Sequence, residues 1–138
     1  MTQNLRWLIA ALMAATVFRA QTILFLPSLE AFGGPASNAW FGPWATDAIL
    51  GLLVPVMVFV FWTVRDVRAW GGLVVYNAIG VLDYSHGLLT QLLHPMPTAM
   101  ASSVTVYFGI GLFMLLQLAA LTLLFRRDVI NRFASSSN

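Results

Sequence analysis

The stretch WLIAALMAATVFRAQTILFL, residues 7–26, decides the fold. It is an apolar run whose length, at about 1.5 Å per helical residue, matches a hydrocarbon core about 30 Å thick. A single charge interrupts it, Arg19, placed about 18 Å from the end that follows Arg6. A guanidinium among Ala, Leu, Val and Phe carries an insertion penalty of about 2.5–3.5 kcal/mol unless a counter-charge meets it. Working outward from Arg19, the sequence offers two partners in other apolar segments, Asp47 and Asp83.

The rest of the chain has the same character. Of its 138 residues, 59% are hydrophobic and 9% charged, too little charge to cover the surface of a water-soluble domain of this size. There is no Cys, which excludes disulfides, thiolate ligands and thiol nucleophiles. The net charge of +2, with no Lys and with the bases gathered at segment ends, excludes a nucleic-acid-binding surface. The length fits one membrane domain over residues 1–138.

Four spans are expected, over residues 7–26, 46–62, 69–92 and 101–125, as an all-α four-transmembrane-helix bundle. Pro55 predicts a kink in the second. Residues 27–45, rich in Gly and Pro, read as a loop, and residues 134–138 as a flexible tail. If the spans alternate, Arg6, Arg65, Arg68, Arg126, Arg127 and Arg132 all fall on one side, so the positive-inside rule makes both termini cytoplasmic. Trp7, Trp62 and Trp70 then mark the inner interface, and Trp40 and Trp44 the outer one. Arg6 with the apolar run to Phe18 also has the outline of a secretory signal. Val17, Phe18 and Arg19 offer no small-residue cleavage site, so an uncleaved first span is expected.

With Asp83 at about 21 Å on the same scale, and Asp47 within about a turn of the outer boundary, the three charges can meet in the outer half of the bundle. One Arg facing two Asp leaves an excess negative charge, which a proton, water or a cation must answer. That is the sharpest functional reading. The plainer one makes Asp47, after Thr46, the cap of the second span and Arg19–Asp83 a static tie. In the third span Tyr76, Gly80, Asp83, Gly87, Thr90 and His94 recur at steps of four and three and form one inward face, flanked by Asn77, Tyr84, Ser85 and His86. Thr105, Tyr107 and Gln117 are expected partners for it on the fourth span.

His86 and His94 lie eight residues apart, too far to chelate one ion unaided, and His94 with Met96 and Met100 makes only a weak soft-metal pattern. No metal and no cofactor are expected. His86, next to the acidic residues, is placed as a bundle residue able to relay protons. The sequence contains no phosphate-binding loop, nucleophile elbow or zinc-protease helix, so an enzyme here would have to act within the bilayer.

Val17-Phe18-Arg19, Leu26-Pro27, Thr46-Asp47 with Gly51, and Tyr76-Asn77, Gly80 and Leu82-Asp83 form a pattern that resembles an uncharacterised family of small bacterial four-helix integral membrane proteins. Members carry an Arg, a Gly-Asp pair and an Asn…Gly…Asp pattern. Here Thr46 replaces the usual Gly, and His86 stands where an apolar residue is more typical. The resemblance covers residues 15–125 in outline. It implies that Arg19, Asp47, Asn77 and Asp83 belong together, and it supplies no activity.

The expectation is a multi-pass protein of the bacterial inner (cytoplasmic) membrane with a polar cluster of Arg19, Asp47, Asn77, Asp83 and His86. Its function is read as structural or as assembly with partner membrane subunits. The alternatives are a small homo-oligomeric transporter or proton-coupled carrier titrating Asp83 or Asp47 against Arg19, and an intramembrane redox or lipid enzyme. Its partners are the lipid bilayer and other membrane chains, not nucleic acid.

Overall fold

The computed structural model describes residues 1–99 and 101–135. Its regular elements are all helical, with no strand among the described residues. Three stretches are long and apolar enough to cross a membrane: Gln3–Phe32, Asn38–Thr63 and Ser103–Leu124.

The first stretch is not one regular helix. Helix α1 (Gln3–Ala15), capped by the Thr2 hydroxyl, passes into a 3-10 segment, Thr16–Gln21, and then into α2 (Thr22–Phe25). Six residues of 3-10 winding is a long run for so tight a geometry. Thr16 opens it and Thr22 follows it, each donating its hydroxyl to the carbonyl three residues earlier, Met13 and Arg19 respectively. The 3-10 period eclipses residues three apart, so Thr16, Arg19 and Thr22 share one line along the segment.

The region expected to be a loop, 27–45, is largely helical. It contains α3 (Leu29–Phe32) and the first turns of α4 (Asn38–Thr63). Pro43 and Pro55 both lie inside α4. Pro43 sits close enough to the start of the helix that the backbone bond it removes is near the frayed end. Asp47 is therefore well inside a helix and caps nothing, which corrects the reading of it as the start of the second span at residue 46.

Helix α5 (Val67–Leu93) starts at Asp66, whose carboxylate accepts from the Arg68 backbone N–H. Its 27 residues exceed those of α4, yet its polar side chains keep it out of the set judged apolar enough to cross a membrane. Tyr76, Gly80, Asp83, Gly87 and Thr90 are buried along one face, while Val75, Ile79, Leu82, Leu89 and Leu92 are exposed on the other. His94 belongs to neither: it ends the helix, exposed. Helix α6 (Ser103–Leu124) packs mainly on α5.

Helix α7 (Arg127–Ala134) was not expected from the sequence. It buries Val129 and Phe133 against the ends of the long helices, Phe133 lying 6.2 Å from the Phe61 ring. The expected tail thus begins only after Ala134, and residues 136–138 of it lie outside the described residues, as does Met100.

The bundle is tied differently at its two ends. At one end Arg6 and Arg132 both donate to the Trp62 carbonyl, closing the C-terminus of α4. Trp70 there donates to the Leu124 carbonyl of α6. Burial, then the like charges of Arg6 and Arg65, lower the pKa of Arg132, yet a guanidinium remains charged at any physiological pH. At the opposite end the Trp40 indole N–H donates to the His94 carbonyl, joining the start of α4 to the end of α5. Trp70→Phe keeps an aromatic ring, though a smaller one, and loses the bond to the Leu124 carbonyl. It is expected to lower stability by about 1 kcal/mol, read as a small drop in the thermal midpoint in detergent.

Candidate functional site: a buried Arg–Asp–Asp centre beneath an aromatic cavity

Arg19 projects from the 3-10 segment into the middle of the bundle and touches three other helices at once. Its Nε donates to Asp47 Oδ1 of α4 at 2.7 Å, its Nη2 to Asp83 Oδ2 of α5 at 2.5 Å, and its Nη1 to Gln117 Oε1 of α6 at 2.9 Å. Nη2 also lies 2.6 Å from Asp47 Oδ1, so that oxygen serves two donors. The flat guanidinium packs over the Tyr84 ring with its carbon 4.1 Å from the ring centre. A planar cation with donors along its edges and an open face suits this arrangement; a Lys ammonium has neither.

Missing side chains position the parts. A Cβ on Gly51 would run into the backbone of Ala20, so glycine is what lets the 3-10 segment lie directly on α4. A Cβ on Gly80 would occupy the place of the Gln117 amide, which explains how a α6 side chain reaches across to Arg19. The Thr22 hydroxyl lies 2.9 Å from both the Arg19 and Trp44 carbonyls and stitches the segment to α4 again.

Of the residues grouped from the sequence, Arg19, Asp47 and Asp83 meet. Asn77 is buried but does not join them: its amide donates to the Leu73 carbonyl of its own helix at 2.8 Å. A buried amide with no cross-helix partner nearby satisfies itself on the previous turn. His86, three residues from Asp83, falls outside the buried stripe of α5 and is exposed; its ring edge comes close to Gly42 of α4. Tyr107 is exposed and Thr105 pairs with Ser102, which leaves Gln117 as the α6 residue that reaches the centre. Among the described residues, no three His, Asp or Glu side chains are placed to hold a metal ion.

Above the cluster, toward the Trp40–His94 end, lies a cavity of about 260 Å³. Arg19, Asp47 and Asp83 form its polar floor, and Trp40, Trp44 and Phe113 are among its walls. The side chains of Arg19 and Asp83 are 2% and 6% exposed, that of Asp47 20%. Asp47 is thus the more exposed of the two carboxylates that line the cavity. Tyr84, stacked on Phe113 with ring centres 6.4 Å apart, also lines the cavity, and its buried hydroxyl has no hydrogen-bond partner.

Two features escaped sequence reading. Trp40 and Trp44 read as interfacial anchors, and only the helical start of α4 turns them toward the cavity. Phe113 carries no polar signal at all. Comparison with protein families, with curated protein sequences and with solved structures finds no match for this chain.

Proposed function

We propose that this is a non-enzymatic four-pass protein of the bacterial inner membrane, with both termini cytoplasmic and Arg19 acting as the lock that fixes its helix packing, alone or within an assembly of membrane subunits. One observation carries the reading: a single guanidinium bonds to α4, α5 and α6 together. In a lipid solvent apolar faces give no reason for helices to prefer each other, so buried polar contacts and close packing specify the bundle.

The fourth span is α5. Hydropathy undercounts it because its polar groups face inward, while the side left for lipid is Val, Ile and Leu. Arg6, Arg65 and Arg132 gather at one end of the bundle, which the positive-inside rule assigns to the cytoplasm. The absence of Cys makes this simple to test. In intact cells Ser37→Cys is expected to react with a membrane-impermeant maleimide and Ser135→Cys to react only after lysis; the reverse pattern overturns the orientation.

The lock is tested by a double-mutant cycle on Arg19→Gln and Asp83→Asn, read as thermal unfolding in detergent. A coupling of about 1–3 kcal/mol is expected for groups in one network, and additive effects would reject it. The cavity favours a second reading, a small carrier or proton-coupled carrier that works through Asp47. An intramembrane redox or lipid enzyme working through His86 is the third reading; it has no share in the Arg19 centre, because His86 is exposed and makes none of the bonds of that cluster.

A further inference from the structure

Three arginines crowd the end of the bundle where α4 stops. Arg6 from α1 and Arg132 from α7 both donate to the Trp62 carbonyl, and Arg65 follows three residues after it. Burial, then the charges of Arg6 and Arg65, weighs against the charge of Arg132. No carboxylate relieves them. Among the described residues none of the three forms an ion pair; Asp128 pairs with Arg126, and Asp66 accepts from the Arg68 backbone N–H. Arg65 is exposed, and Arg6 and Arg132 are partly so. A guanidinium has five N–H donors and stays charged at any physiological pH, so the two bonded arginines keep donors unused.

An open apolar groove of about 490 Å³ begins at the same place. It lies between Ala14 and Val17 of the first stretch and Val54, Val58 and Phe59 of α4. Trp62 belongs to both features. It lines the groove, its ring lies 3.9 Å from the Arg6 guanidinium carbon, and its carbonyl takes the Arg6 and Arg132 bonds. From Trp62 to Val54 the groove follows α4 for about 12 Å, away from the basic end and into the span.

From this apolar groove opening at an uncompensated arginine trio, we infer that the bundle binds one anionic phospholipid, its phosphate against Arg6, Arg65 and Arg132 and one acyl chain along the groove. Arginine meets phosphate through paired, charge-assisted N–H bonds. Basic pockets at the ends of transmembrane helices are suited to anionic headgroups for that reason. The groove runs in the direction an acyl chain takes from a headgroup at this interface. A zwitterionic lipid would bring an ammonium to arginines that already repel one another. A second copy of the chain inserted the same way round would bring the same basic end, and so no counter-charge. The inference rests on the four-pass membrane reading, but not on its orientation or on the Arg19 lock. The maleimide and stability experiments report on those, and lipid binding is decided separately.

The test uses the full chain in detergent, titrated with dioleoyl phosphatidylglycerol, with dioleoyl phosphatidylcholine, and with glycerol phosphate, which carries the phosphate without a chain. Native mass spectrometry counts what is bound. The first phosphatidylglycerol is expected to bind at least about tenfold more tightly than phosphatidylcholine, and glycerol phosphate to stay unbound at the same concentrations. Arg65→Gln is expected to weaken phosphatidylglycerol about fivefold, the worth of one base close to an anionic surface, and to leave phosphatidylcholine unchanged. Arg127→Gln, exposed and outside the trio, is expected to change little. Ala14→Phe fills the groove from an exposed position, alters no charge, and is expected to weaken phosphatidylglycerol severalfold. Equal binding of the two lipids, equal effects of Arg65→Gln and Arg127→Gln, an Ala14→Phe variant that binds like wild type, or glycerol phosphate binding as tightly as the lipid would each overturn the proposal. The lipid and headgroup comparisons need only the unaltered chain, so they decide even if a variant fails to fold.

Discussion

Arg19→Ala is expected to cost about 3–5 kcal/mol and to leave little folded protein in mild detergent, because it strands two carboxylates in the bundle with no cation between them. The loss is not only of charge. The Gln117 carbonyl oxygen and the face of Tyr84 lose the same partner, so contacts to α4, α5 and α6 fail together. The triple variant Arg19→Leu, Asp47→Asn, Asp83→Asn removes the stranded charges and is expected to recover much of the stability. Neutral replacement of a whole buried ionic group is often tolerated where loss of one member is not. Arg19→Lys should fall between, since an ammonium cannot meet three helices in one plane. Thermal unfolding followed by circular dichroism and by size exclusion ranks all three, and equal stability of Arg19→Ala and wild type would reject the lock.

Gly51→Ala is expected to have the second largest effect, although it adds one methyl group. The new carbon would fall 2.6 Å from the Ala20 Cα. The obstacle is main chain and cannot rotate aside, so the 3-10 segment must lift off α4 and carry Arg19 with it. Overpacking of this kind costs about 1–3 kcal/mol, occasionally more, with the ionic network at risk besides. Gly80→Ala meets the tip of the Gln117 side chain instead, which can swing away, so a loss near one hydrogen bond, about 1 kcal/mol, is expected. Gly72→Ala on α5 meets nothing within 4 Å and is expected to be neutral or to stabilise the helix by about 0.5–1 kcal/mol. Melting temperatures of the three variants should therefore follow the order Gly72→Ala, Gly80→Ala, Gly51→Ala from highest to lowest.

The sequence made the coarse fold legible because bilayer thickness sets helix length and because Arg, Trp and Pro mark boundaries strongly. The inward stripe of α5 was readable for the same kind of reason: of Tyr76, Gly80, Asp83, Gly87, Thr90 and His94, which repeat at helical spacing, all but His94, at the helix end, are buried. What was not legible depended on contacts between distant residues. Nothing in Thr16–Gln21 announces 3-10 winding; its supports are threonine hydroxyls and the bare backbone of Gly51, thirty or so positions away. The Gly-Pro stretch 27–45 looked like a loop because local propensity gives no weight to tertiary packing, which carries α4 through Pro43 and Thr46, the latter bonded back to the Gly42 carbonyl. Helix α7 hid behind Arg126 and Arg127, where the apolar run ends but the amphipathic spacing of Val129 and Phe133 continues. At the centre, charge arithmetic pointed to Arg19, Asp47 and Asp83. No arithmetic could separate them from Asn77 and His86, whose places depend on rotation about the α5 axis.

The tight winding of Thr16–Gln21 has a directional consequence. On a regular α-helix, positions three apart fall short of a full turn by about 60°, so a line drawn through Met13, Thr16, Arg19 and Thr22 would swing through about half a circle. Wound at three residues per turn, the same positions stay almost in register. The segment thus works like a corrected screw thread. It holds the bearing set by the buried side of α1 for two further turns, so the guanidinium is aimed at the axis of the bundle instead of the oil around it.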